Sequence, residues 1–122
     1  MAWEVIVVEP ALSWLHVLRK EDRDTLIQIS MAITALQREG PGLGRPLVDS
    51  VRGSRIAHLK ELRPGSSGTT EVRLLFVFDP DRRAVFLVGG DKSGDWKGWY
   101  RLAVPRAEKA YEDHLQRLEE ER

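Results

Sequence analysis

The sequence predicts an α+β fold: a two-helix hairpin packed on a twisted, mainly antiparallel four-stranded sheet, with a C-terminal helix. Three observations predict it. An apolar, β-branched run, "WEVIVV" (3–8), precedes two stretches with helical hydrophobic spacing. Three strand-like runs follow, "SRIAHLKELR" (54–63), "TTEVRLLFVFD" (69–79) and "RRAVFLVGGDK" (82–92), joined by the turn segments "PGSSG" and "DPD". The amphipathic segment "PRAEKAYEDHLQRLEEER" (105–122) comes last. With 122 residues, 42% of them hydrophobic, the chain suits one core, so 1–122 reads as a single domain.

Each element has a local reason. Pro10 closes the first strand and fits the first turn of a helix, where its missing N–H would be unpaired anyway. Leu12, Leu15 and Leu18 recur at helical spacing, and "KEDRD" interrupts them with Asp22 as the expected N-cap. Leu26, Ile29, Ile33 and Leu36 form the second stripe, which "REGPGLGRP" ends. The last three strands should form an antiparallel meander, and the first must find its partner across the hairpin. In the long strand Val72, Leu74, Phe76 and Phe78 share the face expected to meet the helices. Glu71 and Arg73 then share the other, partly open face with Leu75 and Val77. In "SRIAHLKELR" neither alternation is cleanly apolar, so the orientation of its charges stays open. Ala107, Tyr111, His114 or Leu115, and Leu118 line one face of the last helix. Trp3 and Trp14 read as core.

Composition narrows the function. Without cysteine, disulfides and thiolate zinc sites are excluded. His16, His58 and His114 are far apart and show no metal spacing, so neither metal nor cofactor is expected. The N-terminus has no basic leader and no long apolar core, and the longest apolar run, "LLFVF", is strand length. A cytoplasmic protein without membrane contact is the expectation. Nineteen basic residues balance nineteen acidic ones, but residues 45–106 hold twelve Lys/Arg against seven Asp/Glu. The flanking segments are net acidic. The middle of the chain is therefore a basic region hidden by a neutral total.

The charges inside the strands admit two readings. Arg63 and Arg73, near Glu61 and Lys60, suit a phosphate, because a guanidinium pairs two phosphate oxygens at once. Equally, Glu61 and Glu71 could each pair with an arginine in a cross-strand ladder. "VGGDKSG" has glycines but not the spacing of a phosphate-binding loop, and no serine sits in a nucleophile elbow. Trp96, Trp99 and Tyr100, beside Lys92 and Lys97, suit either base stacking or sealing of the last helix on the sheet.

Together "LKELRP", "EVRLLFVFD", "AVFLVGGDKSGDWKGWY" and "AEKAYEDHL" resemble the phage-derived, HigB-type branch of the RelE/ParE toxin superfamily, over nearly the whole chain. The resemblance implies a type II toxin that cuts mRNA on the ribosome without a metal, and a helix-turn-helix antitoxin as partner. It places the phosphate-handling arginine at Arg73 and the basic residue after the last strand at Lys92, and matches Glu61 and Arg63 to the family's "ELR". The general base does not transfer; Lys60, His58 and Tyr100 are candidates beside Glu61. Lys60, His58, Lys97, Trp96 and Tyr100 are the expected RNA contacts. A ParE-like toxin, which inhibits DNA gyrase by binding, shares the fold and is the alternative, as is a relative that only binds or regulates.

Overall fold

The computed structural model describes residues 2–66 and 68–122. Ser67, in the expected "PGSSG" connection, lies outside them. The elements in chain order are β1 (Val5–Val7), α1 (Ala11–Glu21), α2 (Arg23–Glu39), a 3-10 turn (Gly40–Gly42), β2 (Val48–Ser50), β3 (Lys60–Leu62), β4 (Val72–Phe78), β5 (Ala84–Asp91) and α3 (Trp96–Glu120).

The expected architecture holds, with one strand added. Over the described residues the sheet has five strands in the order β1-β5-β4-β3-β2. β3, β4 and β5 form the antiparallel meander, and β1 returns across the hairpin to lie parallel to β5. The added strand, β2, comes from "VDS" and pairs antiparallel with β3. The expected strand 54–63 shrinks to Lys60–Leu62. The preceding residues form an irregular loop, with Gly53 at φ 84° and His58 at φ 63°, a backbone region no strand adopts.

The pleat then builds two cores. Val72, Leu74 and Phe76 face α1 and α2, where they pack with Ala11, Ile29, Leu36 and Phe86. Leu75 and Val77 point the other way, and that face is not open: α3 covers it with Ala103, Ala107 and Ala110. Three small side chains let the helix lie close to the sheet. A bulge supports this second core. Leu75 pairs with Val88 and Phe76 with Phe86, so Leu87 is the extra residue, and both Leu87 and Val88 join the α3 side.

Helix ends follow side-chain chemistry. Asp22 caps α2 as expected, accepting from the Thr25 N–H at 3.2 Å. α3 starts nine residues before the predicted segment, because Asp95 accepts from the Gly98 N–H at 3.0 Å, and the helix continues through Pro105. On its inner face it buries His114, while Leu115 is exposed. The two glycines after the bulge face opposite ways. A Cβ on Gly89 would overlap the Trp14 indole of α1, and one on Gly90 would overlap the Trp99 indole of α3. Gly90 therefore lets the first turn of α3 sit against the sheet, beside Arg73 in register.

Candidate active site

β3 is where the ambiguous charges settle. Its pairing places Glu61 opposite Leu75, on the α3 face, and Lys60 opposite Phe76. Glu61 thus shares a face with Leu59 and Arg73, and Lys60 shares the other with Leu62. Glu61 is an acid at the edge of an apolar core, its side chain only 3% exposed. A buried carboxylate needs partners, and it has them. Arg63 Nε donates to Glu61 Oε2 at 2.8 Å, and the Tyr100 hydroxyl donates to Glu61 Oε1 at 2.5 Å. Arg63 also reaches Asp49 of β2 at 3.1 Å.

Arg73 stands behind this group. Its Nε lies 4.0 Å from Glu61 Oε2 and makes no hydrogen bond, while its Nη1 donates to the Val72 carbonyl at 2.8 Å. Lys92 completes the set from the corner between β5 and α3. Asp91 fixes that corner by accepting from the Glu71 and Ser93 N–H groups, and Lys92 Nζ then sits 5.6 Å over the Tyr100 ring. A hollow of about 330 Å³ opens onto Glu61, Arg63, Lys92, Trp96 and Tyr100, and Arg52 lines it too.

The electrostatics keep protons in defined places. Burial pushes the Tyr100 phenol well above its usual value, and the hydrogen bond to the Glu61 carboxylate pushes it further. Tyr100 is therefore a neutral donor at neutral pH. Burial tends to lower Arg63, but its hydrogen bond to Glu61 and the negative charges of Glu61 and Asp49 together outweigh this and raise it, so the guanidinium stays charged. A larger hollow of about 650 Å³ lies among His16, Arg19, Lys20 and Arg23, and no acid lines it.

Of the residues singled out in the sequence, Glu61, Arg63, Lys92, Trp96 and Tyr100 meet at the hollow, and Arg73 lies against them from behind. Three do not meet there. Lys60 points to the opposite face, His58 is exposed in the loop before β3, and Lys97 is exposed, its Nζ 5.5 Å over the Trp96 ring. The tryptophans divide their duties: Trp99 packs at the seam against Gly90, whereas Trp96 is 55% exposed. Sequence reasoning missed Asp49 and Arg52. Asp49 lies in the short β2 and Arg52 just after it, and three strand residues carry no readable alternation.

Residues 13–112 match the family described as "Phage derived protein Gp49-like (DUF891)". The chain belongs to the Gp49-like family. Two relatives come from Mycobacterium tuberculosis (strain ATCC 25618 / H37Rv). One, named "Putative toxin HigB2", is 48% identical over 113 residues, which are 93% of this chain and 55% of that protein. The other, named "Putative toxin HigB3", is 43% identical over 111 residues, 91% of this chain and 92% of that one. This Gp49-like chain thus spans about half the length of HigB2 and nearly all of HigB3. The expected kinship with HigB-type members of the RelE/ParE-like group holds. Among the described residues, no helix is long and apolar enough to cross a membrane.

Proposed function

We propose that this protein is the toxin of a type II toxin–antitoxin system and acts in the cytoplasm as a metal-independent, ribosome-dependent mRNA endoribonuclease. Its cognate partner would be a helix-turn-helix antitoxin, and 1–122 would be its single toxin domain. The toxin reading is supported by the family and by the names of its relatives. The nuclease reading rests on one observation: a buried carboxylate, Glu61, is held between a neutral phenol and a guanidinium at the floor of a cationic hollow.

That set matches a transesterification. Glu61 takes the proton of a ribose 2′-hydroxyl, whose oxygen attacks the adjacent phosphorus. Arg63 and Lys92 line the hollow and hold the negative charge that builds on the phosphorane, with Arg73 adding charge from behind. The P–O5′ bond breaks, and Tyr100 gives its proton to the departing 5′ oxygen. Protonation of Glu61 removes the charge that opposes ionisation of Tyr100, so the phenol becomes the better donor when it is needed. The direct Tyr100–Glu61 hydrogen bond then returns the proton to the phenol. The products are a 2′,3′-cyclic phosphate and a 5′-hydroxyl, with both side chains restored. Trp96, exposed at the rim, offers a surface for a neighbouring base.

The experiment is to mix the purified protein with ribosomes carrying a defined mRNA and to map any new ends. Cleavage on the ribosome, leaving cyclic phosphate and 5′-hydroxyl ends, is expected. Arrested translation with intact mRNA, or inhibition of DNA gyrase, would replace the nuclease reading with a binding one.

A further inference from the structure

The hollow has lining residues that the nuclease chemistry does not use: Ser50, Val51 and Arg52, where β2 passes into the irregular loop 51–59 before β3. Its base is closed by the Val51 N–H donating to the Leu59 carbonyl at 2.9 Å. Its tip is gripped by α3. Glu108 Oε2 accepts from Ser54 Oγ at 2.8 Å and from the Arg55 N–H at 2.7 Å, and Oε1 accepts from Arg55 Nε at 3.3 Å. Arg55 also reaches Glu112 at 3.5 Å. One carboxylate with three donors from two adjacent loop residues is a clasp. The arrangement holds Glu108 below the usual carboxylate range, chiefly through the Arg55 N–H and then the Ser54 hydroxyl.

The clasp lies on the helix face that builds the site. Residues four apart on a helix stack one above another, so Trp96, Tyr100, Val104 and Glu108 form one stripe. The first three line the hollow, and the fourth grips the loop whose first residues also line it. What the loop brings to the hollow is Arg52. Arg52 is exposed, lines the hollow and makes no ion pair among the described residues, whereas its neighbour Arg55 is tied to two acids.

We propose that Arg52 binds an RNA backbone phosphate flanking the one held at Arg63 and Lys92, and that Glu108 is the residue that positions it. This inference rests on the RNA-binding reading of the site, but not on cleavage. It sets two electrostatic effects against each other. Removing an acid from the surface should strengthen binding of a polyanion. Releasing the loop that carries Arg52 should weaken it.

The test is equilibrium binding of a labelled single-stranded oligoribonucleotide, 2′-O-methylated throughout so that it cannot be cut, between about 50 and 200 mM salt. Arg52→Ala, at an exposed position, should weaken binding and lower the slope of log affinity against log salt by about 0.7, one single-strand phosphate contact. Glu108→Ala should also weaken binding and lower the slope. Glu108→Gln, which still accepts from the Arg55 N–H and Ser54, should bind close to wild type. Trypsin should cut after Arg52 and Arg55 faster in Glu108→Ala than in Glu108→Gln. An unchanged salt slope in Arg52→Ala, or Glu108→Ala binding as tightly as wild type or more so, overturns the inference. If the wild-type protein cuts mRNA on the ribosome in that case, the nuclease reading survives it. Arg52-dependent binding by a chain that cuts nothing upholds the inference and overturns the nuclease reading instead.

Discussion

Arg73 shows how one side chain can serve the fold and the chemistry unequally. It is 15% exposed, donates to a backbone carbonyl of its own strand, and has an Nε without a hydrogen bond 4.0 Å from Glu61. A cation placed for stability alone would close that gap. Arg73→Ala should therefore lose at least about a hundredfold in ribosome-dependent cleavage, the scale of removing one preorganised donor. Its melting temperature should fall by no more than about 5 °C, as for loss of a weak ion pair. Arg73→Lys should recover only part of the activity, because a flexible ammonium keeps the charge but does not fix it in the same place behind Glu61. Both quantities are measured on one sample. A folded, fully active Arg73→Ala would return this arginine to a salt-bridge ladder.

At the scale of elements, α3 decides whether the site exists, and it is fastened at both ends. Near its start, Gly90 makes room for Trp99; Gly89 does the same for Trp14 on the other face. Gly90→Ala and Gly89→Ala should each destabilise by about 1–3 kcal/mol through overpacking. Only Gly90→Ala should also cut activity when assayed well below its melting temperature, because Trp99 adjoins Tyr100. Equal activity in the two variants would separate the seam from the site. At the far end, the buried Asp79, in the β4–β5 turn, lies 2.9 Å from His114 Nε2 and accepts from the Arg83 backbone N–H and guanidinium. Burial tends to raise Asp79, but these hydrogen bonds win and hold it below its usual value. A carboxyl lowered in the folded state adds stability above its unfolded pKa and loses it as pH falls through the folded value. The melting temperature should accordingly drop below about pH 4. Asp79→Asn should melt lower at neutral pH and show a shallower acid limb, and identical acid limbs would remove Asp79 from the fastening.

For the molecule as a whole, the legible parts are those that repeat. Val72, Leu74, Phe76 and Phe78 alternate cleanly, so the face toward the helices could be read from the sequence, as could the Asp22 cap. The second core was hidden because its sheet residues, Leu75 and Val77, follow two charged ones, Glu71 and Arg73, on the same face. α3 was shortened because Pro105 looks like a helix start, although Asp95 provides the cap ten residues earlier. The loop 51–59 carries "SRIAHL", which has strand composition, but the backbone bends and turns there, with positive φ at Gly53 and His58. The same loop kept Lys60 and Glu61 ambiguous, since the face of a strand is unreadable until its start is known. Once β3 is reduced to three residues, Glu61 turns toward Tyr100, Arg63 and Arg73, and residues from β3, β4, the β5–α3 corner and α3 become one site. Glu61→Gln tests that assembly most directly, since the amide keeps the shape and can still accept from Tyr100 but cannot take a proton. Measured as mRNA cleavage on the ribosome beside thermal unfolding, the variant should stay folded and lose at least about a hundredfold in rate. A folded Glu61→Gln protein that cuts at the wild-type rate would contradict it.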